Sequence, residues 1–101
     1  MDLVYLKDHI TEELNDSKDY IKRAIEIRPM NANWGKILFD MSAQELTHAS
    51  YFYNMFNEYC VILSKNYVEM PDYISKIRDE VVDMYTECSV KIKAMHEMYA
   101  K

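Results

Sequence analysis

The stretch "MSAQELTHASYF", residues 41–52, sets the problem. Nothing in it stops a helix, and a stripe at helical spacing runs through it: Trp34, Leu38, Met41, Glu45, His48, Phe52, Met55, Tyr59 and Ile62. Two consecutive stripe positions are an acid and an imidazole. On a buried face a charge costs several kcal/mol unless it is paired or bound to a metal. The helix therefore carries either a hydrogen-bonded Glu–His pair at a half-covered edge or part of a ligand set.

Working outward, this helix is expected from about Ala32 to Val68, started by the asparagines of "MNAN" (30–33) and ended ahead of Pro71. Upstream, a first helix is expected over Asp2 to Arg28. Its stripe is Leu3, Leu6, Ile10, Glu13, Ser17, Tyr20, Ala24 and Ile27, widened by Leu14, Ile21 and Ile25. Pro29 should end it, because the residue before a proline is pushed out of the α region. Downstream, a third helix is expected from Tyr73 to the C-terminus, with Asp72 as its N-cap. Its stripe is Ile74, Ile77, Val81, Met84, Cys88, Met95 and Met98.

One glycine and two prolines in 101 residues leave little room for the turns of an all-β fold, while half the residues are hydrophobic, enough for one core. The expectation is an all-α chain, a three-helix antiparallel bundle forming a single domain over residues 1–101. A net charge of −5 argues against nucleic acid and against an anionic membrane surface. No apolar run approaches the ~18 residues of a membrane span. The start, "MDLVYLKDHI", carries Asp2, Lys7 and Asp8, unlike a signal peptide, so a cytoplasmic protein is expected. Cys60 and Cys88 make neither a zinc knuckle nor a disulfide framework, and both should be free thiols. The aromatics of "YFYNMFNEYC" (51–60) lie on several helix faces, more than one three-helix core covers. That surplus favours self-association, most simply a dimer through the first two helices.

In an antiparallel hairpin centred between Pro29 and Ala32, residues whose numbers sum to about 61 stand at one height. Glu13 is then level with His48, and Glu45 is only ~4.5 Å away along the axis at 1.5 Å per residue. The polar interruptions of both stripes meet at one level. Positions i and i+3 share a helix face, so the carboxylate and imidazole of Glu-x-x-His can reach one ion. Two carboxylates and an imidazole suit iron, manganese or zinc rather than calcium. The structural alternative puts Glu13 at a stripe edge, with Leu14 as the core residue. A second hairpin centre near 70.5 would set His96 level with Glu45, making His96 an additional candidate ligand. His9, one turn before Glu13, reads as a surface histidine.

"EELNDSKDYIKRA" (12–24) resembles the first helix of ferritin-like, rubrerythrin-type di-iron proteins: a glutamate followed seven residues later by a tyrosine. "AQELTHASYF" (43–52) resembles their Glu-x-x-His helix. The resemblance covers about residues 3–60. It implies a helical bundle with a carboxylate-bridged di-iron centre that reacts with dioxygen or peroxide, with Glu13, Glu45 and His48 as metal ligands and Tyr20 as a tyrosine in their second shell. The chain departs from the family in having one Glu helix and one Glu-x-x-His helix where the full site uses two of each. A homodimer would complete the set by joining two hairpins into a four-helix metal site, with iron, or manganese or zinc in its place, as the cofactor.

Two functions follow as expectations. One is a redox metalloprotein with ferroxidase, peroxidase or iron-handling chemistry, an oxidoreductase acting on ferrous iron or peroxide. The other is a non-catalytic helical interaction module that keeps the ferritin-like shape without metal, like small ferritin-like chains of bacterial and phage genomes.

Overall fold

The computed structural model describes residues 1–101 and contains three helices and no strand: α1 (Leu3–Ile27), α2 (Ala32–Ser64) and α3 (Asp72–Ala100). None is long and apolar enough to cross a membrane. The molecule is a rod of 58 × 21 × 14 Å, and only 16 of its 101 residues are buried. The core is accordingly a single seam that runs the length of the rod.

The helix starts follow from capping. Asp2 accepts a hydrogen bond from the Tyr5 backbone N–H at 2.8 Å, and Asn31 accepts from that of Trp34 at 3.0 Å. Each satisfies a donor that has no partner inside the helix. At α3 the expected cap shifts by one residue. Pro71 occupies the N-cap with an extended backbone, and Asp72 is the first helical residue, where its charge opposes the helix dipole. The helix stops also differ from expectation. Arg28 keeps α geometry although a proline follows. The helix ends because Pro29 has no N–H to continue the ladder, and the turn closes with Met30 and Asn31 donating to the Ile27 carbonyl. α2 stops at Ser64, four residues before the expected Val68. Lys65, Asn66 and Tyr67 donate three residues back, to Ile62, Leu63 and Ser64, and this tighter turn leads out toward Pro71.

α1 and α2 form a tight antiparallel hairpin. On α1 the buried residues are Leu3, Leu6, Ile10, Leu14, Ser17, Ile21 and Ala24. The seam therefore runs through Leu14 and Ile21, and Glu13 and Tyr20 sit on its flank. The larger correction is on α2. Its buried residues are Gly35, Ser42, Ala49, Phe56 and Cys60, each one position after a residue of the expected stripe. Trp34, Met41, Met55 and Ile62 are exposed. Mostly small residues face α1, and the backbones approach closely as a result. A Cβ on Gly35 would stand 3.2 Å from the Arg28 Cα. The Ser17 hydroxyl donates to the Ser42 carbonyl at 2.8 Å, and the Ser42 hydroxyl donates to the Ser17 carbonyl at 2.6 Å.

α3 lies along one side of this hairpin. Lys7 pairs with Glu80 at 3.1 Å, Tyr53 stacks on Tyr85 with ring centroids 3.9 Å apart, and Phe39 stacks on Tyr99 at 4.8 Å. The Arg28 guanidinium donates to the Tyr99 carbonyl and lies over the Tyr99 ring. The pairs Tyr53–Tyr85, Phe39–Tyr99 and Ser42–His96 share one register, about three residues from the expected one, because α2 ends early. Cys60 and Cys88 are both free thiols.

Candidate metal centre

Glu13, Glu45 and His48 are brought together as the hairpin register requires. Their nearest ligand atoms lie within 4.8 Å of one another, and they form the one such group of three or more His, Cys, Asp or Glu side chains in the chain. His48 Nδ1 stands 3.7 Å from Glu13 Oε2 and 3.9 Å from Glu45 Oε1. Both separations exceed hydrogen-bond length. The Glu13 and Glu45 side chains are 19% and 24% exposed, while that of His48 is 50% exposed. The cluster is thus open on the histidine side and closed on the carboxylate side.

Glu13 Oε2 is the informative atom. It is shut off from solvent and has no hydrogen-bond partner. Such an acceptor is costly, and few are left in this state in folded proteins. The donor set also fits a metal. Ligands at ~2.0–2.2 Å from one ion in tetrahedral geometry stand about 3.3–3.6 Å apart, so the two His48 separations need to close by only a few tenths of an ångström and a separation at the 4.8 Å limit by about 1.2–1.5 Å, within reach of side-chain rotation.

The position of the site follows from helix geometry. At about 100° per residue, Thr11 points ~160° from Glu13 and Phe39 points ~180° from His48. Thr11 meets Met84 and Phe39 meets Tyr99, both on α3. Glu13 and His48 therefore occupy the flank of the hairpin that α3 leaves uncovered, and Glu45 reaches the same cluster from one turn before His48.

The other candidates stand elsewhere. His96 is not brought to the cluster; its Nε2 lies 2.8 Å from Ser42 Oγ and its ring packs on Phe39. Both serine hydroxyl hydrogens are already given to carbonyls, so the bond to Ser42 is donated by His96 Nε2–H, which fixes the tautomer. Burial pushes the His96 pKa down from its ordinary value. Tyr20 is half-buried and does not bond Glu13 Oε2, which has no partner. His9 is more than a surface histidine. It is half-buried, tilted against Tyr5 at 4.3 Å and stacked on Phe52 at 5.0 Å, between ring centroids. Ser17 and Ser42 form a polar pair at the centre of the seam that neither helix's own stripe reveals. Their positions sum to nearly the hairpin value, which is the signal that could have found them.

Compared with protein-family models, with curated proteins and with solved structures, the chain matches none.

Proposed function

We propose that this chain is a ferritin-like metal-binding protein in which Glu13, Glu45 and His48 hold a transition metal, iron first and manganese or zinc in its place. The observation that carries the reading is the orphaned Glu13 Oε2, 3.7 Å from the His48 imidazole, too long for a hydrogen bond, in a cluster that the Glu45 carboxylate joins. A cation removes the cost of that unpaired acceptor, and mixed carboxylate–imidazole ligation suits these metals. Iron held there would supply redox chemistry toward dioxygen or peroxide. The chain's own part is to orient the two carboxylates on facing helices, with the half-exposed His48 imidazole beside them. Three protein ligands do not fill the coordination of a metal pair, so a second copy is proposed to supply the other half of the site.

A second reading has its own support. The half-exposed His48 between two carboxylates also suits an ordinary polar pair at the edge of an interaction module. One comparison separates the two. Apo protein and protein given ferrous iron under anaerobic conditions are desalted, assayed for iron and melted. Retained iron with a raised Tm supports the metal site. No retained iron and no shift leaves the interaction module.

A further inference from the structure

Five residues of α2 spaced seven apart, Trp34, Met41, His48, Met55 and Ile62, line its solvent side. Trp34 is 59% exposed, Met41 36%, Met55 38% and Ile62 56%. Ile37 and Tyr51, also exposed, add the +3 positions of two heptads. The other two +3 positions within α2 are Gln44 and Glu58, so the a-type row is apolar apart from His48 while the d-type row is mixed; a polar residue at the centre of an apolar row is the device that fixes register in coiled coils. This row is distinct from the small-residue seam that α1 already fills.

The stripe reads alike in both directions: large apolar, Met, His, Met, large apolar. His48 is also the middle residue of Ala32–Ser64. An isologous two-fold interface requires such symmetry, because residue i must meet j wherever j meets i. We infer that a second copy of this chain packs on this stripe, α2 against α2 antiparallel, with the two-fold axis at His48. Trp34 then meets the partner's Ile62, Met41 meets the partner's Met55, and the two His48 side chains meet at the axis.

The area is sufficient. Complete burial of the exposed fractions of these seven side chains, at about 150–250 Å² each, gives at most about 650 Å² from each copy, or about 1,300 Å² in all, which reaches the lower part of the range of specific stable interfaces. The inference deepens the metal reading, since the axis would draw two Glu13–Glu45–His48 sets toward one another, and rests on it only in that consequence. The apolar stripe pairs with or without metal.

The test is a charge swap read by sedimentation velocity at micromolar concentration, with EDTA and with ferrous iron. Wild type should run at about 24 kDa, twice the 12.1 kDa chain. Met41→Lys alone and Met55→Glu alone should each run as monomer, and both sites are exposed enough that circular dichroism should show intact helices. The two substitutions together should restore the dimer, because in the antiparallel register each introduced ammonium faces the partner's introduced carboxylate. A monomeric wild type in both conditions overturns the inference. So do single variants that stay dimeric, or a double variant that stays monomeric. An EDTA-treated dimer that takes up no iron upholds the interface and sinks the metal reading. An iron-retaining monomer does the reverse.

Discussion

Replacing Glu13 by Gln separates the cost of the carboxylate from its use. Its Oε2 is buried and accepts no hydrogen bond from the protein, while the side chain as a whole is 19% exposed. An unpaired buried acceptor costs about 1–3 kcal/mol, and this partial exposure points to the low end, about 1 kcal/mol. Gln keeps the shape, drops the charge and can donate toward the Glu45 carboxylate. The metal-free variant should therefore exceed wild type by about 1 kcal/mol, which raises Tm by about 4–8 °C for a chain of this size. Metal should reverse the order. A ligand at 100 times its Kd adds about 2.7 kcal/mol to the wild type, whereas an amide is a poor ligand and the variant should gain little. The assay is thermal unfolding followed by circular dichroism at one protein concentration and one pH, with EDTA and with anaerobic ferrous iron. The two melting curves should change places on adding iron. If metal-free Glu13→Gln melts below wild type by 4 °C or more, the carboxylate stabilises the apo fold and the reasoning fails at its first step.

His48→Ala should leave the helices intact, since that side chain is half exposed, and should abolish the iron-dependent rise in Tm; an undiminished rise would place the metal elsewhere. Ser42→Ala removes the donor to the Ser17 carbonyl and the acceptor for His96 Nε2–H, so a loss of about 1–2 kcal/mol is expected in urea unfolding, with a neutral result showing that the seam is held by packing alone. The lowered His96 pKa means that the unfolded chain binds more protons below the ordinary value of 6.5. Stability should therefore be unaffected by this group above that pH and should fall as the pH drops through the window below it; His96→Phe should flatten that acid limb, and an unchanged slope would assign it to other groups. Thiol titration of denatured, non-reduced protein should find both Cys60 and Cys88 free, with Cys60 the slower to react before denaturation because it is buried.

The three helices and their punctuation were legible in the sequence because they rest on local chemistry: Asp2 and Asn31 as caps, Pro29 and Pro71 as interruptions, apolar residues at helical spacing. The meeting of Glu13, Glu45 and His48 was legible too, since a short turn and a fixed rise per residue determine which positions stand level. What local chemistry left open was which side of α2 faces inward. Two stripes one residue apart both fit a heptad, Trp34–Met41–His48–Met55 and Gly35–Ser42–Ala49–Phe56, and hydropathy favours the first. The tertiary structure takes the second, because small side chains let α1 and α2 approach until Ser17 and Ser42 bond each other's backbone and Gly35 meets Arg28. That choice turns the large apolar residues outward and leaves the Glu–His cluster on an uncovered flank. It depends on the distance between two helices about 25 positions apart in sequence, which no window along one helix contains.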